Sequence, residues 1–183
     1  MGILKKVRRN FGKHILIQLY YTFVYPYMIY CNITWASTYV STLDRIIKLQ
    51  KRIVRIITFS AFNSHTCVLF ERYKILKFTS LNKYLTALFM YRVKYNLIPH
   101  VFRAIFTEVS SIHNYNTRQL TSFYICKVRT NLGKFSIKYH GPILWNSIPP
   151  YIQNSTSLPV FKKKWNSNYL KINDYLGFYV IAL

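Results

Sequence analysis

The stretch STLDRIIKLQKRIVRIIT, residues 41–58, decides the fold class. Leu43, Ile46, Ile47, Ile53, Val54 and Ile57 recur at the spacing that places them on one buried face of a helix. Arg45, Lys48, Arg52 and Arg55 repeat on the opposite side, with Lys51 beside them. Ser41 and Asp44 stand in the outline of a capping box, so the spacing predicts a helix that starts at Ser41. Beyond Asp44 no acid is interleaved with the bases, and like charges therefore repel along the helix. Two readings of the stripe stay open: a plainly solvated face, or a face whose counter-charge comes from phosphates.

Upstream, residues 3–11 form a short basic helix with Leu4, Val7 and Phe11 on one side, and Gly12 bends or breaks it. Residues 15–35 follow as a long apolar helix that Pro26 kinks or splits, because proline lacks the amide donor and clashes with the preceding turn. No acid, Lys or Arg occurs from His14 to Leu43, and Lys5, Lys6, Arg8, Arg9 and Lys13 precede that run, as in a signal anchor. The central Pro26, the polar interruptions at Gln18, Thr22, Asn32 and Thr34, and the many tyrosines argue instead for a buried helical hairpin. The NIT at Asn32 and the NST at Asn154 match glycosylation acceptors, a tripeptide that arises readily in an Asn-rich chain.

Downstream, residues 60–64 read as a polar connector and residues 66–73 as a short helix. Ser80 caps a helix to about residue 96, with Leu81, Tyr84, Leu85, Leu88, Phe89 and Val93 facing its core. Pro99 ends that segment and opens a short turn of helix through residue 106. From residue 107 the character changes. HNYNTRQ (residues 113–119) is loop-like, residues 123–129 predict a short strand, and residues 131–134 a turn. The block KFSIKYHGPILWNSIPP (residues 134–150) predicts a helix interrupted near Gly141-Pro142 and ended by Pro149-Pro150. Its Phe135, Tyr139, Leu144, Trp145 and Ile148 read as core anchors, leaving Lys134, Lys138 and His140 outward. Ser157-Leu158-Pro159 starts a final helix. Phe161, Trp165, Tyr169 and Leu170 dock that helix, and Lys162, Lys163, Lys164 and Lys171 stay wet. The expected fold is mainly α: a helical bundle over residues 1–106, then a loop-rich region over residues 107–183 with a short strand and two short helices.

The chain carries 26 Lys and Arg against four acids, a net charge of +22. Such a surface calls for a polyanion or an acidic partner. Basic residues beside a high aromatic content suit nucleic acid, since rings stack on bases while cations neutralise phosphates. A compositional bias toward Lys, Asn, Ile, Tyr and Phe accounts for the same totals without selection. Cys31, Cys67 and Cys126 are too few and too scattered for a disulfide framework or a zinc knuckle, which points to a reducing, intracellular setting. His14, His65, His100, His113 and His140 form no ligand set, so no metal or other cofactor is expected. Two-metal polymerase or nuclease chemistry needs clustered carboxylates, whereas Asp44, Glu71, Glu108 and Asp174 stand singly. No phosphate loop or nucleophile elbow is present, the spacing of His65 and Cys67 alone makes no nucleophile pair, and no catalytic residue is assigned.

The ordered blocks resemble one family. YYTFVYPYMIYCNITWAST (residues 20–38) is similar to the LY-x-S-L-x-x-P-x-L-x-Y-x-x-x-x-W stretch of non-LTR, LINE-type (jockey-like) retrotransposon reverse transcriptases. LQKRIVRIITFSAF (residues 49–62) is similar to the L-Q-K-x-x-x-R-x-I helix that follows it there. HNYNTRQ, FSIKYHGPILWNSIPP and SLPVFKKKW then occur in the family's order, so the likeness runs from about residue 4 to 170. The resemblance implies the thumb and post-thumb part of an RNA-directed DNA polymerase. It implies an upstream palm and fingers as partners, the palm carrying the paired Asp that this chain lacks, and hence no polymerase activity for this chain. The thumb of that family grips a template-primer duplex, which makes Arg45, Lys48, Lys51, Arg52 and Arg55 candidate contacts to an RNA or DNA backbone. Two other readings remain: a marginally folded remnant without a partner, and a small membrane-anchored basic protein.

Overall fold

The computed structural model describes residues 2–112, 115 and 121–170. HNYNTRQ, Tyr115 excepted, lies outside the described residues, as do Lys171, Asp174 and the side chain of Leu170. The fold is mainly α. Its helices are α1 (Gly2–Val7), α2 (Lys13–Leu19), α3 (Tyr25–Ile29), α4 (Asn32–Trp35), α5 (Val40–Ile57), α6 (Thr66–Arg72) and α7 (Phe78–Lys94). After these come α8 (His100–Arg103), α9 (Asn131–Phe135), α10 (Ile137–Asn146), α11 (Pro150–Gln153) and α12 (Leu158–Trp165).

The long apolar segment breaks where its sequence demands. Pro26 cannot donate to the preceding turn, and the wide π turn Tyr20–Val24 sits just before it, between α2 and α3. The run ends at Cys31, whose φ of 47° turns the chain into α4. Asn32 is buried there. Its Nδ2 donates to the Met28 carbonyl at 2.8 Å, and its Oδ1 accepts from Asn82 Nδ2 at 2.9 Å, joining this hairpin to α7. The tripeptide at Asn32 is therefore a packing element and not an accessible glycan acceptor. No helix among the described residues is long and apolar enough to cross a membrane.

Helix α5 forms as its periodicity predicts, with two corrections. It begins after Tyr39, without a side-chain cap, so Ser41 is no cap and Asp44 lies a turn in, where it pairs with Lys48. Its buried face holds Leu43, Ile53, Val54 and Ile57 as expected, and Ile46 and Ile47 pack half-buried against the core. Ile56 and Gln50 are buried as well. Gln50, 1% exposed, is the polar centre of this half. Its Nε2 donates to the Tyr20 phenol oxygen at 3.0 Å and to the Leu76 carbonyl at 2.7 Å, and its Oε1 accepts from the Phe78 amide at 2.9 Å. One side chain thus ties α5 to the α2–α3 segment and to the start of α7.

Helix α7 belongs to both core clusters. Phe78 and Leu81 pack with Leu16, Tyr20, Val54 and Ile57, whereas Met90, Tyr91 and Val93 pack with Trp145, Ile148, Ile152, Phe161 and Trp165. It starts after Lys77, so Ser80 is not its cap; Ser80 lies within the first turn. A helix shared by two clusters is buried nearly all round, which is why Ala87, Met90 and Tyr91 join the expected core positions.

The block at residues 134–150 packs differently from its sequence expectation. Residues 131–135 are helix α9, capped by Thr130 Oγ1, in place of the turn. Helix α10 runs through Gly141-Pro142 without interruption. A Cβ on Gly141 would lie 2.9 Å from Met90 Sδ, so the missing side chain is what lets α10 approach α7. Pro142 leaves the Lys138 carbonyl without its helical donor, and Cys126 Sγ approaches that oxygen at 3.9 Å. Trp145 and Ile148 are buried anchors as expected, while Phe135, Tyr139 and Leu144 are only half-buried. Asn146 clamps Phe123, its Oδ1 accepting from that amide at 3.1 Å and its Nδ2 donating to that carbonyl at 2.8 Å. This amide stands in for a neighbouring strand. The expected strand over 123–129 is accordingly reduced to one isolated antiparallel bridge, Glu108 to Phe123, among the described residues. His140 is not free: its Nε2 lies 3.0 Å from Ser37 Oγ and its Nδ1 3.0 Å from the Ser136 carbonyl. Burial lowers its pKa below 6.5, against the opposing hydrogen bonds to the Ser136 and Phe135 backbone. Helix α12 starts after Ser157 as expected and buries Phe161 and Trp165; Tyr169 stays 45% exposed, stacked on Trp165 at 4.2 Å.

Candidate nucleic-acid interface

Helix α1 is short, with Leu4 and Val7 as its only anchors on the core, and it packs on α5. Its Lys5 and Lys6, and the Arg8 and Arg9 of the turn that follows it, are thereby carried to the C-terminal end of the α5 stripe. Two adjoining concavities result. The larger, about 740 Å³, is lined by Gly2, Lys5, Lys6, Arg8, Arg9 and Phe59. The smaller, about 380 Å³, shares Gly2, Lys5 and Arg8 and adds Arg52, Arg55, Ile56, Ser60 and Phe62. Together they form one groove with cations from two helices and no acid in its lining.

The groove floor is set by how α5 ends. The Ser60 amide donates to the Arg55 carbonyl at 3.1 Å and the Phe59 amide to the Ile56 carbonyl at 3.4 Å, which closes the helix with a left-handed residue. That residue is Phe59, at φ 58°, where glycine is the unstrained choice. The turn throws both phenyl rings outward: Phe59 is 41% exposed and Phe62 70%. Each carries a guanidinium. Arg8 Cζ lies 4.8 Å from the Phe59 ring centre, and Arg52 Cζ 5.9 Å from that of Phe62.

Of the five residues expected from sequence, the structure brings Arg52 and Arg55 into the groove. Arg55 is partly committed, its Nε donating to the Ser64 carbonyl at 3.0 Å, which orients the guanidinium. Arg45, Lys48 and Lys51 are exposed on the same helix but do not line the groove, and Lys48 is paired with Asp44. Sequence reasoning missed Lys5, Lys6, Arg8 and Arg9 as partners of the stripe. Their clustering was visible, but the apolar run behind them suggested a membrane flank. Only the packing of α1 on α5 reveals the alternative.

The electrostatics follow from the lining. Close like charges repel by on the order of 1 kcal/mol per pair even in water. Salt screens this only beyond about 8 Å at physiological ionic strength. A polyanion laid along the groove relieves that repulsion. Carboxylate chemistry has no comparable centre: no group of three or more His, Cys, Asp or Glu side chains that could hold a metal ion occurs among the described residues. All three cysteines are free. No protein-family model, no curated protein and no solved structure matches the chain.

Proposed function

We propose that this chain binds the sugar-phosphate backbone of RNA or DNA through the α1–α5 groove and performs no catalysis of its own. The observation that carries this reading is the meeting of Lys5 and Arg8 with Arg52 and Arg55, with Lys6 and Arg9 lining the adjoining concavity and no acid in either lining. The resemblance to the thumb and post-thumb part of non-LTR retrotransposon reverse transcriptases supports the same reading, with the palm and fingers of a polymerase as the protein partner. Phe23 and Tyr27, 63% and 82% exposed on the α2–α3 segment, are suited to such a partner surface.

The test is affinity for a duplex and for a single strand as a function of salt. With six groove cations each meeting a phosphate, the slope of log affinity on log salt reaches about −5 on duplex, at roughly −0.9 per contact. A flat salt response, or no binding at low salt, refutes the proposal. The remnant reading draws on the same exposed rings. It requires broad thermal unfolding with strong binding of an apolar dye, and a cooperative transition refutes it.

A further inference from the structure

We infer that the groove takes a single strand of nucleic acid, with unpaired bases stacked on Phe62 and Phe59 and the backbone tracked by the cations around them; this rests on the backbone-binding reading above. A duplex shows its phosphates and hides its base faces, so a groove built for duplex backbone has no use for exposed rings. This groove has two. Phe59 faces the larger concavity among Lys5, Lys6, Arg8 and Arg9, and Phe62 faces the smaller one among Lys5, Arg8, Arg52 and Arg55. The two concavities share Gly2, Lys5 and Arg8, so a strand leaving one ring meets the other with cations between.

Ring-and-cation alternation of this kind is the recurrent solution for unpaired strands, because every base has a face to stack and every linkage a charge to neutralise. Arg8 and Arg52 already sit on the rings, which leaves each guanidinium near both a base position and its phosphate. The lining holds no Asn, Gln, Asp or Glu, the side chains that read A or C edges, so it offers A and C stacking on the rings without the side chains that pair best with their edges. Phe59 points the same way. A phenylalanine keeps a left-handed position open to glycine, and its ring is presented to the groove instead of the core.

The experiment uses the full chain with a labelled thymidine oligonucleotide of about a dozen nucleotides, within the site sizes usual for stacking grooves, and a blunt duplex of the same length in the same salt. The single strand is expected to bind more tightly. Phe62→Ala is expected to weaken the single strand by about 5- to 150-fold, the range for one lost base-stacking contact. The same variant changes duplex affinity by no more than about twofold, as for an ordinary surface substitution. Phe62 is exposed enough that the variant retains the fold, and its melting temperature checks this. Equal or tighter duplex binding, or a Phe62→Ala effect that is absent or the same for both ligands, overturns the inference while leaving backbone binding in place. Failure of the unaltered chain to bind either ligand at low salt overturns both.

Discussion

Gln50→Leu tests the internal frame that holds the groove. The substitution keeps the volume apolar and filled, so its effect is almost purely one of lost hydrogen bonds. Gln50 is 1% exposed and makes three of them. With leucine in place, the Tyr20 hydroxyl keeps its contact to Met28 Sδ at 3.7 Å, but the Leu76 carbonyl and the Phe78 amide lose their Gln50 partner. Each buried polar group left unpaired costs about 1–3 kcal/mol. The apolar side chain returns on the order of 1 kcal/mol of burial. The expected net loss is about 2–4 kcal/mol, a large share of the roughly 5–15 kcal/mol that holds a domain together. Urea unfolding followed by tryptophan fluorescence measures it, with Leu49→Ala as the control, since Leu49 is the exposed neighbour on the same helix. Gln50→Glu adds a sign. Burial raises the carboxyl pKa in the folded state, so its stability is greatest at low pH and falls as pH rises through that raised value. A Gln50→Leu chain within about 0.5 kcal/mol of the original, with an unchanged urea slope, refutes the claim that this amide is the polar centre of the fold.

Replacing Lys5, Arg8, Arg52 and Arg55 together by Gln should flatten the salt slope on duplex by up to about 3–4, whereas Arg45→Gln with Lys51→Gln should change it by less; equal effects would spread the footprint over the whole stripe. Phe59→Gly should stabilise the fold by about 1 kcal/mol, since glycine is unstrained at φ 58°, while weakening single-strand binding; thermal unfolding and a titration read the two effects separately. Gly141→Ala should destabilise by about 1–2 kcal/mol, because the new methyl meets the buried Met90 Sδ and outweighs the gain in helix propensity, and Met90→Ala in the same chain should remove most of that penalty. His140 is held neutral by burial, so its lowered pKa makes stability fall as pH drops below 6.5 and level off beneath the folded value; His140→Gln should flatten that part of the pH profile of the urea midpoint.

What was legible in the sequence, and what was not, divides along physical lines. The helix at residues 41–58 could be read because a single helix face carries its own period, and four of its cations, Arg45, Lys48, Arg52 and Arg55, follow from that period with Lys51 beside them. Gln50 could not be read. Its place on the buried face is marked by spacing, but its three partners come from residues 20, 76 and 78, and only the fold brings them within reach. The strand expected over residues 123–129 failed for the complementary reason. Alternation supplies one strand, but a strand needs a neighbour, and the backbone of Phe123 is met by the side-chain amide of Asn146. Gly141-Pro142 looked like an interruption because both residues disfavour a helix interior in isolation. In the fold they are used together: the glycine lets α10 close on Met90, and the carbonyl orphaned by the proline meets a thiol. The groove belongs to the same class of long-range fact. Its cations come from two segments more than forty residues apart, and each segment alone had a competing explanation, a membrane flank for one and a solvated stripe for the other. Their junction weakens both. Lys5 and Arg8 line a cavity with Arg52, Arg55 and Ile56 of α5, and Arg52 and Arg55 end beside the exposed ring of Phe62, which a merely solvated face has no reason to display.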